Sequence, residues 1–149
     1  MYSVKAQGSV EYLSIVGIAL LLLIPATMLF MNYARSTNDD VVSNQLALLG
    51  NSLLGKAEEM YVLGAGSWTT EEIVLPESLA ESYIASNSDL VFRYDSFGGR
   101  TDAVFFSYKF NINNGTSTCV DKCEIGLTPG INRVRIEFKD GAVQIRKVS

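Results

Sequence analysis

Histidine is missing from the whole chain. Its absence removes the usual general base, the commonest metal ligand and the side chain that switches charge near neutral pH. Cysteine is scarce: Cys119 and Cys123 are the only two, and two thiols without an imidazole cannot complete a tetrahedral metal site. The sequence also lacks a nucleophile elbow, so hydrolysis has no visible machinery. The carboxylate pairs Glu58-Glu59 and Glu71-Glu72 point apart on a helix or strand and read as solvated charges. No catalytic residue, metal or cofactor is therefore expected. Nor is there an excess of positive charge: 12 basic against 16 acidic side chains give a net charge of −4. That balance fits neither a nucleic-acid-binding protein nor a disordered acidic tail, and no nucleic-acid partner is expected.

Charge is absent altogether from Tyr12 to Ala34, where only Ser14, Gly17, Pro25, Thr27 and Asn32 interrupt an apolar run. At about 1.5 Å per residue a helix of this length reaches about 35 Å, enough to cross a hydrocarbon core of about 30 Å. A secretory signal would have a shorter apolar core, a small-residue cleavage site and then the mature domain. Here the run is too long, and more helix follows it. Lys5 lies before the run and Asp39 and Asp40 lie after it, a bias that keeps the N-terminus cytoplasmic and faces the later residues outward. Pro25 removes one backbone hydrogen bond and crowds the carbonyl of Leu21, so a kink or local unwinding is expected there. A tolerated membrane-helix proline and a functional hinge both fit it.

Glu11 heads this run. A carboxylate leading an apolar span is costly unless a positive group meets it. A simple single-pass anchor would leave it at headgroup level, solvated and without a role.

The surrounding string is more specific. Lys5-Ala6-Gln7-Gly8-Ser9-Val10-Glu11-Tyr12-Leu13, followed by Ser14-Ile15-Val16-Gly17-Ile18-Ala19-Leu20, resembles the class III signal peptide of archaeal type IV pilin-like proteins. In that family a prepilin peptidase cuts directly before a glutamine and the apolar helix stays in the mature subunit. The resemblance covers residues 5–34. It implies a processing site between Ala6 and Gln7, with Lys5 as the basic residue before the cut, Gln7 as the new N-terminus and Glu11 as the fifth mature residue. Ala6 stands where many members have glycine. Cleavage would create an α-amino group with a pKa near 8, and this cation on one copy would pair with Glu11 of its neighbour.

Val42, Leu46, Leu49, Leu53, Ala57 and Met60 recur every three or four residues, an amphipathic helical stripe that Gly64-Ala65-Gly66-Ser67 stops. One helix from about Ser9 to about Leu63 is one reading. The other is an interruption at Pro25 or at Ser36-Thr37-Asn38-Asp39-Asp40, with Asn38 or Asp39 capping a separate helix. A coiled coil would need more heptads than are present.

Beyond Trp68 the period changes to two. Ile73-Val74-Leu75 reads as a short strand ended by Pro76, and Glu77 to Ser86 as a short helix with Leu79, Tyr83 and Ile84 inward. Leu90 to Tyr94 and Val104 to Ile112 read as strands around a loop from Asp95 to Asp102. Asp140-Gly141 signals a type I′ hairpin that pairs Phe138 with Val143 and Ile136 with Ile145. This register puts Val134, Ile136, Phe138, Val143 and Ile145 on one face, packed against the Val42 to Met60 stripe. The other face, with Arg135, Glu137, Lys139, Gln144 and Arg146, and Arg133 and Lys147 near its end, is locally basic. Contact with acidic glycans, DNA or a neighbouring subunit is one reading of it; an ordinary solvated strand face is the favoured one, because Glu137 and Asp140 interrupt it and no aromatic platform is evident.

Cys119 and Cys123 lie in a Gly/Ser/Thr/Asn-rich loop on the outward side, where a small disulfide is favoured over a metal site or an intermolecular bond. Asn114-Gly115-Thr116 is an N-glycosylation sequon in the same loop, as such triplets also arise by chance.

The expected fold class is α+β: a long N-terminal hydrophobic and amphipathic helix followed by a small antiparallel β-sheet domain of about 85 residues, which the resemblance makes the pilin lollipop plan. The segments are a cleaved leader at 1–6, a membrane or filament-core helix at 7–35, an amphipathic helix at 36–64 and a β-rich extracellular domain at 65–149. The resemblance implies a structural subunit polymerised through its N-terminal helices into a helical surface filament for adhesion. It also implies residence in the membrane before assembly, and prepilin peptidase, an assembly ATPase and a platform protein as partners. A second class of function is a membrane-tethered or minor-pilin ligand-binding protein that does not form the bulk filament. Trp68, Phe97, Phe105 and Tyr108 are its candidate sugar-site aromatics, although core packing accounts for most of them.

Overall fold

The computed structural model describes residues 3–116 and 121–148, with residues 3–9 described by their backbone alone. One helix, α1 (Ser3–Leu63), leads into eight strands. The chain divides into two compact units, Met1–Asn38 and Asp39–Ser149.

In the first unit the backbone stays helical through Pro25, so the proline leaves the Leu21 carbonyl without its amide donor but does not end the helix. Nor does the polar stretch Ser36 to Asp40 start a new helix. Asp39 is not an N-cap. In the second unit its carboxylate instead accepts the backbone N–H of Phe97 at 2.8 Å. The C-terminus of α1 follows the glycine rule: Gly64 takes a left-handed φ of 88° and its N–H donates to the Met60 carbonyl at 3.2 Å. The Ser67 hydroxyl donates to the same oxygen at 2.7 Å.

The strands are β1 (Trp68–Leu75), β2 (Leu79–Ala85), β3 (Asp89–Ser96), β4 (Gly99–Phe106), β5 (Ile112–Asn113), β6 (Lys122–Glu124), β7 (Gly130–Lys139) and β8 (Ala142–Val148). They form two four-stranded sheets, ordered β1-β7-β8-β5 and β4-β3-β2-β6. All pairs are antiparallel except the two-residue β5–β8 ladder.

Three expectations change here. Glu77 to Ser86 is not a helix: Leu79–Ala85 is a strand that pairs with β3 on one side and β6 on the other. Its apolar spacing fits either period, and the two flanking ladders decide in favour of extended backbone. The strand expected from Val104 to Ile112 stops at Phe106. There the Ser107 hydroxyl donates to the Phe110 carbonyl at 2.7 Å, folding the segment into a loop before β5. The β3–β4 connection is also tighter than the sequence suggests, because Ser96 pairs with Gly99 and only Phe97 and Gly98 turn.

The last hairpin has the expected register, Phe138 with Val143 and Ile136 with Ile145. Asp140 and Gly141 take left-handed φ values of 54° and 79°, as a type I′ turn requires. Val134, Ile136, Val143 and Ile145 are fully buried. They share one core with Val42, Leu46, Leu53, Ala57 and Met60 of α1 and with Ile84, Leu90 and Phe92 of the second sheet. The helical stripe and the sheet faces thus cover one another, as two packed layers must. Gly50 is buried within α1 and admits the Phe105 ring: a Cβ there would overlap it.

Candidate functional site

The candidate site in the first unit is the helix surface itself. From Val10 to Asn38 every residue is exposed, and apolar side chains cover all sides, from Tyr12 and Leu13 to Phe30 and Tyr33. An 18-residue window within Val10–Leu63 reaches a mean hydropathy of 2.5 with none of it buried. This helix is long and apolar enough to cross a membrane. A helix that is apolar on every side has no water-facing stripe, so lipid or other apolar helices must cover it.

The polar interruptions are quieted locally. Ser14 donates its hydroxyl to the Val10 carbonyl at 2.9 Å, Thr27 donates to the Leu23 carbonyl, and Thr37 to the Tyr33 carbonyl at 3.0 Å. Such back-bonds to the preceding turn let hydroxyl residues sit in lipid without an unsatisfied donor. Glu11 has no comparable local bond among the described residues and is exposed. Ala6 and Gln7 lie on the helical backbone of α1, their side chains outside the described ones. Gln7 and Glu11, four residues apart, are separated by about 6 Å along the axis and lie nearly on one face. A group at the level of Gln7 is therefore about one turn from the carboxylate.

The other sequence-predicted positions lie in the second unit. Cys119 is outside the described residues, and Cys123 sits half-buried on β6 opposite Ile84. Asn114 is half-buried. Its side-chain amide donates to the Glu124 carbonyl at 3.0 Å, and its oxygen accepts from the Thr116 hydroxyl and amide. The four candidate aromatics do not share one surface feature. Phe105 packs edge-on against Phe92, exposed Tyr108 stacks on Phe106, Phe97 is at the β3–β4 turn, and Trp68 begins β1.

Two charge networks form on the sheets. On the β4-β3-β2-β6 sheet, Arg93 donates to both Asp102 oxygens, at 2.8 and 3.0 Å, and to Glu81 at 3.1 Å. Lys122 also donates to Glu81, at 2.8 Å. The hydrogen bond from Arg93 holds the Asp102 carboxyl below its ordinary range, and that from Lys122 does the same for Glu81. Their partners Arg93 and Lys122 are shifted upward. These pairs tie the short strand β6 to β2 and β3.

On the other sheet, Glu137 is nearly buried. Arg146 donates to both of its oxygens, at 3.2 and 3.1 Å. Arg135 Nε lies 2.6 Å from Oε2, but its N–H is not directed at that oxygen, so the contact is ionic. The Arg135 guanidinium stacks over the exposed Trp68 ring at 4.5 Å. Lys147, expected to extend this basic face, belongs to the opposite parity of β8, and its ammonium donates to the Thr128 hydroxyl at 3.1 Å. Sequence reasoning missed the aromatic neighbour of this face because Trp68 arrives from β1. Only the β1–β7 register, which pairs Trp68 with Glu137, places it there.

Comparison of the chain with protein-family models, with curated proteins and with solved structures finds no significant match. The architecture itself, a long N-terminal apolar helix followed by a small β domain, is consistent with a pilin-like fold.

Proposed function

We propose that this chain is a structural subunit of an archaeal type IV pilus-like surface filament. It is made as a membrane precursor with a cytoplasmic N-terminus, cut between Ala6 and Gln7 by a prepilin peptidase, and polymerised through α1 with the help of an assembly ATPase and a platform protein. Its role is structural rather than enzymatic, its β domain faces the outside of the cell, and adhesion is its use. The observation that carries this reading is the helix from Val10 to Asn38, exposed on all sides and uncharged from Tyr12 to Ala34, with Glu11 at its head. Lipid satisfies such a surface in a precursor, and like helices satisfy it in a filament. A mature amine at Gln7 supplies the cation that Glu11 lacks, at a depth within about one helical turn.

Two measurements test this. N-terminal sequencing or intact mass of the native protein should give a mature chain starting at Gln7. Retention of Met1 to Ala6, or loss of the entire apolar run, would overturn the pilin reading. Glu11→Ala should insert into the membrane normally and fail to polymerise; a normal filament yield would refute the charge pairing. The second reading, a membrane-tethered or minor-pilin ligand-binding protein, is favoured by the stacked Trp68 and Arg135 pair on the β domain.

A further inference from the structure

Strand pairing collects a set of side chains on the outer face of the β1-β7-β8 sheet. Trp68 lies opposite Glu137, Arg135 opposite Arg146, and Arg133 opposite Glu72, and the alternation along β7 adds Lys139 to the same side. Four cations therefore meet two carboxylates on one face of a chain whose net charge is −4. The carboxylates are not equivalent. Glu72 reaches Arg133 only at 3.7 Å on the exposed edge, whereas the Glu137 side chain is 11% exposed, beneath Arg146 and Arg135.

Glu137 thus forms a floor that fixes the two guanidiniums while their outer edges face solvent, with Arg146 45% exposed. An Arg offers five N–H donors, and Glu137 engages only one nitrogen of Arg146. Lys139 is exposed and makes no ion pair among the described residues. These groups surround an open concavity of about 550 Å³, bordered by Gly66, Trp68, Arg135, Lys139 and Arg146, with Asp140 at its tip. That volume falls within the roughly 300–1,000 Å³ range of small-molecule clefts.

We propose that this concavity is a binding site for an acidic polysaccharide, with a hexuronate ring against Trp68 and its carboxylate held by Arg146 and Lys139. The indole is 57% exposed and offers a flat apolar surface to the C–H face of a pyranose. The guanidinium fork matches a planar carboxylate, and Lys139 adds a mobile point charge. Single-stranded nucleic acid fits less well, because it uses successive stacking platforms and Trp68 is the only aromatic among the described residues of this face. The site lies wholly within Asp39–Ser149 and needs no filament.

The test uses the full chain in polyoxyethylene detergent micelles, a detergent without sugar headgroups. Trp68 is the only tryptophan, so its emission reports directly on the site. Polygalacturonate should shift that emission saturably, and neutral dextran and a dT12 oligonucleotide should not. Lys139→Gln should weaken polygalacturonate binding about tenfold, the loss of one charge-assisted hydrogen bond. Arg100→Gln, the same charge change on the other sheet, should leave it unaltered. No emission change with polygalacturonate, an equal response to dextran or dT12, or equal losses in both variants would overturn the site. Because the assay reads micellar monomers, a negative result leaves the filament proposal standing, and failure of polymerisation leaves this one standing.

Discussion

Two glycines of α1 should respond to the same substitution with opposite sign. Gly50 is buried, and a Cβ there would overlap the Phe105 ring; Gly55 is exposed, with nothing near its added methyl. Replacing a helical glycine by alanine removes about 1 kcal/mol of backbone penalty at either site. At Gly50 the ring must retreat by about 1 Å or more to restore ordinary contact. It cannot do so freely, because it packs edge-on against fully buried Phe92 with 6.0 Å between centroids. Overpacking of this kind costs about 1–3 kcal/mol, and loss of the aromatic pair adds about 0.5–1.5 kcal/mol. Gly50→Ala should therefore destabilise the β domain by about 0.5–3.5 kcal/mol net, while Gly55→Ala stabilises it by about 1 kcal/mol. At about 4 °C per kcal/mol for a domain of this size, the melting temperature should fall by about 2–14 °C for the first and rise by about 4 °C for the second. Thermal melts of the full chain in micelles, followed by Trp68 emission and near-ultraviolet dichroism, measure both. A Gly50→Ala variant as stable as wild type, or two shifts of the same sign, would refute the close helix–strand contact.

Other perturbations reach different parts of the molecule. Asp102 and Glu81 have carboxyls held below their ordinary range in the fold by Arg93 and Lys122, so their contribution is present above about pH 4 and lost as pH falls through the lowered folded values. Asp102→Asn should flatten the acid limb of a stability curve below about pH 4, and an unchanged limb would remove Arg93–Asp102 from its cause. Pairing of Cys119 with Cys123 should lower the intact mass by about 2 Da relative to the reduced chain, and Cys119→Ser should cost about 2 kcal/mol, the loop-closure value for so short a ring. An unreduced mass equal to the reduced one would sink the disulfide.

Much of the fold was legible where one local rule acted alone. Of the stripe Val42, Leu46, Leu49, Leu53, Ala57 and Met60, all but the half-buried Leu49 are buried as the spacing requires, and Asp140-Gly141 fixed its hairpin because few residue pairs tolerate two consecutive left-handed conformations. Legibility failed where two rules competed. Leu79 to Ala85 carried spacing compatible with both periods after a proline that suits a helix start, and partners remote in sequence decided between them. Asp39 looked like a cap because a carboxylate before an apolar stripe usually is one; its acceptor role toward Phe97 depends on the β3–β4 turn. Of the candidate sites, Ala6, Gln7 and Glu11 rest on sequence context alone, where the carboxylate and the string around it adjoin. The Trp68–Arg135–Glu137 cluster was not, since Glu137 reads in sequence as an interruption of a basic face and becomes its floor only when β1, β7 and β8 align.

Thr37 to Asp39 lie inside helical backbone, without a loop residue. Proteases take their substrates as extended segments, and tolerated nicks concentrate at loop tips and frayed ends. Cutting here requires α1 to unwind locally, against the Thr37 back-bond to Tyr33 and the Asp39 bond to the Phe97 amide. Proteases that trim flexible linkers find no loop residue at this point of the helix.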